Sequence, residues 1–183
     1  MIEKEHELKM LISLDDFRRL KSFFGFLPNK TISQTNYYYD TRNGVMRREN
    51  TTVRVRKKDN RFKGTIKRHL ASGYSTEESF NVDTLPLVIV VDNIPVWIKG
   101  SLDTERTVFT MCEGIQIMFD LNQYLDVIDC EIEIEFREDL QKQAEWLMSG
   151  IKALLKNNTN NAAWCKSERF FRALENKGGD SYA

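Results

Sequence analysis

Four segments of this chain alternate charged and apolar residues with a period of two, which is the side-chain period of a β-strand. They read EHELK, TVRVRK, KGTIK and EIEIEF, and they begin at residues 5, 52, 63 and 131. In each segment the charges share one parity, so each predicts one ionic face and one largely apolar face. A solvated sheet surface explains any one segment taken alone. Two basic and two acidic or acid-led segments together favour a binding surface, because divalent metals prefer carboxylate oxygens and polyphosphates prefer Arg and Lys donors.

The remaining periodicities predict helices near both ends of the chain and strands between them. Apolar residues from Leu14 to Phe24 recur at helical spacing, with Ser13 or Asp15 as the N-cap and Gly25 as the stop. Further helices are predicted over 137–155 and 166–175, and strands over 31–40, 52–57, 61–68, 74–82, 104–111, 115–120 and 127–136. Segment 85–98 stays open between helix, strand and loop, because Pro86 and Pro95 break its apolar run.

Strands throughout the chain with helices near its ends favour an antiparallel α+β domain over a doubly wound sheet. Seven or eight strands are enough to close into a barrel. If the ionic faces point inward, the apolar faces point outward and need amphipathic helices to cover them. We therefore predict a β-barrel with a polar, charged lumen and flanking helices.

Composition limits the classes of partner. The chain has 183 residues, with 27 basic and 27 acidic side chains. We predict one domain over residues 1–175 and a flexible tail over 176–183. A formal charge of zero argues against a general nucleic-acid or membrane-surface binder. With no secretory signal at the start and no apolar run long enough to span a bilayer, we expect a cytoplasmic protein.

The cysteines and histidines of the sequence offer little catalytic chemistry. Cys112, Cys130 and Cys165 are an odd number without close pairing, so we expect reduced, structural thiols. His6 and His69 are far apart in sequence, which disfavours a histidine metal site. The chemistry that remains is that of carboxylates, lysine and arginine.

With these motifs in their order, the chain resembles the triphosphate tunnel metalloenzymes, the CYTH superfamily of class IV adenylate cyclase, thiamine triphosphatase and inorganic triphosphatase. Its opening Glu-x-Glu-x-Lys signature is present at residues 5–9. The later motifs follow in the family's order, and the resemblance covers about residues 3–171. They are a YYDT run at 38–41, an Arg-x-Arg pair at 54–56, Thr65 with Lys67, a Thr-Glu-Arg ending at Arg106, Asp120, the Glu-x-Glu run from 131, and CKSERF at 165–170.

The resemblance implies an eight-stranded antiparallel tunnel that binds a triphosphate with Mg²⁺ or Mn²⁺. It assigns to the metals Glu5, Glu7, Asp120, Glu131 and Glu133. It assigns to the phosphate oxygens Lys9, Arg54, Arg56, Lys67, Arg106 and Lys166. Lys9 would lie close to the reacting phosphate. Hydrolysis also needs a water in line with the terminal phosphorus, and a second metal or a carboxylate among Glu131, Glu133 and Glu135 could orient it.

The sequence leaves the roles of Glu77, Glu78, Glu135 and Arg169 open. Glu77 matches an acidic position of the family, but Glu78 could be aligned instead, and a shift of one residue exchanges inside for outside. Glu135 could lie at the tunnel mouth or form a structural ion pair. Arg169 could be a solvated or salt-bridging residue of the terminal helix. Cys165 replaces a serine common in the family, a nearly isosteric change that should be tolerated.

We hypothesise metal-assisted attack of water on the terminal phosphoryl group, which releases orthophosphate. Inorganic triphosphate is the favoured substrate, because no feature of the sequence marks a base pocket. Thiamine triphosphate would need an aromatic platform, and Trp97, Trp146 and Trp164 are more often core residues. The alternatives are an adenylate cyclase, a thiamine or nucleoside triphosphatase, a non-catalytic polyphosphate or nucleotide binder, and a solvated structural sheet. A homodimer remains open.

Overall fold

The computed structural model describes the backbone of residues 2–4 and the whole of residues 6–69, 75–156 and 164–178. Four helices are present in this part of the chain: α1 (Leu14–Phe23), α2 (Val45–Arg48), α3 (Gln141–Ala153) and α4 (Lys166–Asn176). The strands are β1 (Ile2–Lys4), β2 (Glu7–Ile12), β3 (Asn29–Asp40), β4 (Thr51–Lys58), β5 (Arg61–His69), β6 (Ser75–Val82), β7 (Val88–Val91), β8 (Ile94–Cys112), β9 (Ile115–Tyr124) and β10 (Val127–Phe136). None of the described helices is both long and apolar enough to cross a membrane.

The strands form one antiparallel sheet in the order β1-β6-β5-β4-β3-β8-β9-β10-β2, with β7 paired to β8 beside this path. Its two ends, β1 and β2, are neighbouring stretches of the N-terminal segment. Lys4 and Glu7 are three positions apart, which an extended chain covers in about 10 Å. The two edges of the sheet therefore meet at the N-terminus. Counted with β1 and β2 as one strand, the path has the eight strands of the predicted tunnel.

Apolar side chains cover the outside of this sheet in separate clusters. The largest cluster joins helices α1 and α3 to the outward faces of β2, β9 and β10, with Leu20, Ile117, Ile132, Ile134 and Ile151 almost fully buried. Another lies around the β4, β7 and β8 side chains Val53, Val55 and Val96. The residues between these apolar positions, of opposite parity, face inward and are mainly polar. The predicted inversion of the usual sheet pattern is confirmed.

Helix α4 lies over one end of the lumen. Its Phe170 is fully buried against Tyr38 of β3 and Tyr124 of β9, with ring centroids 5.1 and 6.4 Å away. A Cβ at Gly100 would come within 2.8 Å of the Phe170 ring, so this position of β8 must stay small. This packing fixes the first turn of α4, which carries Lys166 and Arg169, over the inner face of the sheet.

Two tight turns explain where strands β5 and β8 begin. The β4–β5 hairpin has both Asp59 and Asn60 at positive φ, and so does the β7–β8 hairpin at Asp92 and Asn93. Two consecutive left-handed residues are typical of a two-residue type I′ turn. The sequence pattern left segment 85–98 open between helix, strand and loop, and the structure shows that it is largely a hairpin. β8 begins at Ile94, ten residues before the strand predicted over 104–111.

Candidate active site

Inward-facing side chains from β2, β3, β4, β5, β8 and β10, with the start of α4, enclose a cavity of about 90 Å³. The lining divides into a basic wall on β4 and β5 and an acidic wall on β10, with cations between them. Its residues are Glu7, Lys9, Tyr38, Thr52, Arg54, Arg56, Lys67, His69, Arg106, Glu133, Glu135, Cys165, Lys166 and Ser167. Nine of the predicted site residues therefore line one cavity.

The basic wall consists of Arg54 and Arg56 on β4 and Lys67 on β5. In the β4–β5 ladder Lys67 lies opposite Thr52, beside Arg54 on the inner face. Arg56 donates from Nε to Oδ1 of Asn36 at 2.9 Å. The like charge of Arg54, together with burial and Arg106, lowers the pKa of Arg56 to about 9. The guanidinium is still protonated at pH 7, so these neighbours repel one another and favour an anion between them.

The structure places Glu77 inside and Glu78 outside. Glu77 lies opposite Lys67 in the β5–β6 ladder, and its carboxylate is 3.6 Å from Arg54. Glu78 is 60 % exposed and lies 3.7 Å from Arg68 on the outer surface. Glu77 is therefore the one of the two that shares the inner face with Lys67 and Arg54.

The acidic wall contains a compact cluster of Asp120, Glu131 and Glu133, all buried, whose carboxylate oxygens lie within 4.8 Å of one another. In the β9–β10 ladder Asp120 and Glu131 are directly opposite, and Glu133 is two residues further along β10. Three carboxylates this close, deep in a protein, repel one another unless cations compensate them. Their oxygens are the ligands that Mg²⁺ and Mn²⁺ prefer.

Two cations of the chain reach into this cluster. Nζ of Lys166 lies 2.8 Å from Asp120, 2.6 Å from Glu131 and 2.5 Å from Glu133. Arg106 donates from Nε and Nη2 to the two oxygens of Asp120 at 2.7 and 2.6 Å, and it also contacts Glu133. All of the paired atoms are largely shielded from water, which strengthens each interaction.

The electrostatics follow from these contacts. Burial alone would lower the pKa of Lys166, but attraction to Glu133, Asp120 and Glu131 outweighs it and raises that pKa. Burial alone would raise the pKa of Glu133, but Lys166 and Arg106 hold it well below its usual range. At neutral pH Glu133 is therefore ionised and Lys166 is protonated.

Arg169 of α4 is 7 % exposed, so the alternative of a solvated residue is wrong. Its guanidinium donates to Glu131 at 2.9 Å, lies 3.0 Å from Asp129, and donates to the backbone oxygen of Trp164 at 2.7 Å. It contacts Glu131 from the side away from the cavity, which it does not line. Arg169 therefore supports the acidic wall from behind.

The N-terminal signature is described only in part, since Glu5 lies outside the described residues. Lys9 donates to Glu7 at 2.6 Å, and Glu7 and Lys9 lie opposite Glu135 and Glu133 on β10. Burial opposes the charge on Lys9, but Glu7 and Glu133 outweigh burial and raise the pKa of Lys9. Glu135 lines the cavity with its side chain 43 % exposed. Its carboxylate also lies 3.8 Å from Arg106, so Glu135 has both the exposure of a tunnel-mouth residue and an ion pair.

Sequence reasoning missed a polar corner of the cavity formed by Thr52, His69, Cys165 and Ser167. Ser167 Oγ lies 2.9 Å from Thr52 Oγ1 and 3.1 Å from Cys165 Sγ. Burial raises the pKa of the Cys165 thiol, but hydrogen bonds from His69, Ser167 and the Glu168 backbone amide lower it to about 7. Cys165 is thus more than a structural thiol. The only signal in the sequence was its place before Lys166.

A second cavity of about 270 Å³ shares this corner. It is lined by the same four residues and by Arg47, Asn50, Thr51, Trp164, Glu168 and Phe171. Trp97, Trp146 and Trp164 are 45, 78 and 53 % exposed, so the expectation that they are core residues is wrong. Trp164 carries the guanidinium of Arg172 over its ring at 3.6 Å.

An antiparallel tunnel lined by clustered cations facing clustered carboxylates defines a class of proteins suited to a multiply charged anion. Residues 3–161 match the family model of the CYTH domain, and the chain therefore belongs to this family, the triphosphate tunnel superfamily.

Individual relatives agree with this assignment. YjbK of Bacillus subtilis, described as a candidate triphosphatase, is 25 % identical over 149 residues, which are 73 % of this chain and 77 % of YjbK. A crystal structure from Bacillus halodurans, described as a candidate adenylate cyclase, is 24 % identical, with a TM-score of 0.75 over 93 % of this chain and 98 % of its own. HpAC1 from Hippeastrum, whose description reports a dominant triphosphatase activity, is 20 % identical, with a TM-score of 0.73 over 92 % of this chain and 96 % of its own. The two structures share the fold.

Proposed function

We propose that this protein hydrolyses a triphosphate with the help of a divalent metal and releases orthophosphate, with inorganic triphosphate as its substrate. The observation that carries the proposal is that the basic wall of Arg54, Arg56 and Lys67 shares one cavity with Glu133, the member of the acidic cluster that lines the lumen. A triphosphate needs cations along its oxygens, and its metal needs carboxylates. A tunnel with only one of the two sets would serve a metal or an anion alone.

The phosphate contacts divide by the chemistry of each cation. Arg54 and Arg56 offer forked donors that can each hold two phosphate oxygens, and Lys67 adds a point charge. Lys9 lies beside the acidic wall with a raised pKa, so it acts as a fixed positive charge near the reacting phosphate and does not accept a proton at neutral pH. Positioning and charge compensation are the main demands of phosphoryl transfer.

The acidic cluster of Asp120, Glu131 and Glu133 fits a hard divalent ion, Mg²⁺ or Mn²⁺, through its oxygen donors. When bound, such an ion supplies charge neutralisation at the phosphate and lowers the pKa of a bound water. Glu7, next to Lys9 on β2, is proposed as a further ligand, and Glu5 stays a prediction from the family resemblance.

The attacking water needs a carboxylate that faces the lumen. Glu133 and Glu135 line the cavity, whereas Glu131 lies behind Lys166 and Arg169 and does not. We therefore assign the orientation of the water to Glu133 or Glu135 and keep Glu131 for the metal. Acceptance of the proton falls to Glu135, because Lys166 and Arg106 hold the pKa of Glu133 well below its usual range. The water oxygen bonds to the terminal phosphorus as the bond between that phosphorus and its bridging oxygen breaks, so orthophosphate and the remaining diphosphate are the products.

One observation favours a second candidate, hydrolysis of an organic triphosphate. The cavity beside Trp164 and Phe171 shares the lining residues His69 and Cys165 with the lumen cavity, and it offers aromatic surface next to the proposed phosphate site. A thiamine or nucleoside group could stack there. Substitution of Trp164 by Ala would then weaken turnover of the organic substrate and leave inorganic triphosphate hydrolysis unchanged.

The test is phosphate release from inorganic triphosphate, ATP and thiamine triphosphate, each with Mg²⁺, with Mn²⁺ and with chelator. We expect metal-dependent release, fastest from inorganic triphosphate. Arg54→Ala should lower the rate about 10²-fold, because it removes a charged donor to the transferring group. Arg61→Ala, an exposed arginine at the β4–β5 turn, is the matched control.

No release from any of the three compounds contradicts the hydrolase. Cyclic AMP from the ATP reactions would identify a cyclase, and binding without turnover would identify a polyphosphate or nucleotide binder. We still predict a small-molecule substrate, no nucleic-acid or membrane partner, and a cytoplasmic location. Homodimer formation stays open.

A further inference from the structure

Lys166 occupies the middle of the acidic cluster. Its single nitrogen lies 2.5–2.8 Å from oxygens of three different carboxylates, those of Asp120, Glu131 and Glu133. These are the three residues whose oxygens are close enough to one another to hold an ion. An ammonium is a compact point charge, so three carboxylates around one nitrogen resemble the coordination of a small cation. Lys166 and a divalent ion cannot share this position.

Arg106 is held differently from Lys166. It forms a bidentate pair with Asp120, and its Nη1 donates to the sulfur of Met118 at 2.8 Å. This planar fork is anchored at the edge of the cluster. Lys166 has a flexible four-carbon stem that starts at the first residue of α4. Of these two cations, Lys166 is the one that can leave without rebuilding the wall.

The side chain of Lys166 also has an alternative position in the lumen. It lines the lumen cavity together with Arg54, Arg56 and Lys67, on the side where the triphosphate is proposed to bind. The helix that carries it is fixed by Phe170, so a movement of the side chain alone transfers its charge from the carboxylates to the phosphate oxygens. The backbone needs no rearrangement.

Charge balance favours such an exchange. Arg106 and Arg169 also contact these carboxylates, so a divalent ion in place of the ammonium adds one positive charge to the site, and a bound triphosphate compensates that charge. The displaced ammonium would be repelled by the ion and attracted by the triphosphate. Removal of Lys166 should leave three buried carboxylates under-compensated, which raises their affinity for an external cation.

We propose that the ammonium of Lys166 occupies the metal position of the acidic cluster when no metal is bound, and that it moves to the triphosphate when a divalent ion binds. Metal and triphosphate binding are thereby coupled through one side chain. The proposal rests on the proposed function only for the identity of the anion, since the exchange itself requires no turnover.

The first experiment is Mn²⁺ binding by electron paramagnetic resonance, without triphosphate, to the wild-type protein, Lys166→Met and Lys152→Met. Lys152 is an exposed residue of α3 and serves as the matched control. We expect Lys166→Met to bind Mn²⁺ at least tenfold more tightly than the wild type, and Lys152→Met to bind as the wild type does. Equal or weaker binding to Lys166→Met overturns the proposal.

The second experiment uses the unaltered chain. A short pulse of acetic anhydride, analysed by mass spectrometry, should acetylate Lys166 slowly, and added Mn²⁺ should increase that acetylation several-fold by releasing the ammonium. Unchanged acetylation overturns the exchange. If Lys166→Met is unfolded alone, Mn²⁺ should restore the far-ultraviolet circular dichroism of the wild type, and a variant that stays unfolded in millimolar Mn²⁺ also overturns it.

These measurements separate the two hypotheses. Phosphate release with no gain of Mn²⁺ affinity in Lys166→Met would keep the proposed function and refute the exchange. The reverse result would keep the exchange and refute the hydrolase.

Discussion

Cys165 and Lys166 are neighbours in sequence, and both face the lumen. The thiol of Cys165 accepts hydrogen bonds that favour its thiolate form, which brings its pKa to about 7. The thiolate is the nucleophilic form of cysteine, so reactivity increases as pH rises through the pKa. Cys130 is 3 % exposed and burial raises its pKa to about 11, so it stays a protonated, inaccessible thiol.

We predict that native Cys165 reacts with iodoacetamide with a half-maximal rate near pH 7, and that Cys130 does not react below pH 9. Mass spectrometry of each cysteine peptide from pH 5 to 9 measures both. His69→Ala should move the midpoint for Cys165 upward, because it removes the largest favourable hydrogen bond. A wild-type midpoint near pH 9 would contradict the described environment.

Arg56 shows that binding and stability make opposite demands on a residue. Its lowered pKa means that the folded chain disfavours the charge on this guanidinium, chiefly because of Arg54. Such groups are often stabilising to remove and costly for function. Arg56→Met should therefore raise the free energy of unfolding by about 0.5–2 kcal/mol and lower the affinity for triphosphate.

Urea unfolding, and triphosphate titration in the presence of chelator, measure the two effects on Arg56→Met. Arg61→Met, at the exposed end of β5, is the control and should change neither quantity. A loss of stability in Arg56→Met would mean that its hydrogen bond to Asn36 outweighs the repulsion.

Several inward positions were predictable from residue parity alone. Arg54 and Arg56, or Glu133 and Glu135, must share a face once their segments are strands. Two others were not predictable. The sequence could not choose between Glu77 and Glu78 because the strand register decides it, and it could not place Arg169 because that depends on how α4 packs against the sheet.

At the scale of elements, local signals predicted most helices and strands. Ser13 caps α1 as predicted, with its side chain accepting from the Asp16 amide at 3.1 Å. Gly114, at a φ of +84°, lies in the turn before β9, a conformation that glycine adopts without strain. The hairpin of β7 and early β8 was not predicted, because its turn residues Asp92 and Asn93 are less characteristic than Asn-Gly and Pro95 obscures the strand pattern.

The β5–β6 pair gives an element-scale prediction. Gly64 lies opposite Phe80, and a Cβ at Gly64 would come within 2.2 Å of the Phe80 ring. Gly64→Ala must therefore push the ring off the outer face of β5 and should destabilise the protein by about 1–3 kcal/mol. Denaturant unfolding measures this loss.

Gly150 is the opposite case and serves as the control. It lies in α3, where a Cβ would meet no atom within 4 Å. Gly150→Ala should stabilise the protein by about 0.5–1 kcal/mol, because alanine loses less backbone entropy in a helix. If both substitutions change the free energy of unfolding in the same direction and by similar amounts, the contact with Phe80 does not determine the effect at Gly64.

At the scale of the whole molecule, closure of the tunnel depends on pairings that no local pattern encodes. β1 pairs with β6 and β2 pairs with β10, so the N-terminal segment pairs with two strands that lie more than 60 residues further along the chain. The sequence indicated an inward ionic face only because helices were available to cover the other face. The eight-stranded antiparallel tunnel became an expectation through the family resemblance, and the strand order is given by the structure.

This architecture predicts that the ligand stabilises the entire barrel. The lining cations belong to β2, β4, β5, β8 and α4, so one anion bound among them would link strands from across the sheet. Inorganic triphosphate should therefore raise the melting temperature in the presence of chelator, where hydrolysis is prevented. At a concentration 100-fold above its dissociation constant, the gain is about 2.7 kcal/mol.

The controls separate specific binding from a general effect of salt. NaCl at equal ionic strength should not reproduce the shift, since it screens the repulsion among Arg54, Arg56 and Lys67 without linking the strands. Arg54→Ala should reduce the shift by triphosphate, whereas Arg61→Ala should retain it. If NaCl and triphosphate stabilise the wild type equally, the lumen does not bind the anion, and the basic wall serves the stability of the sheet alone.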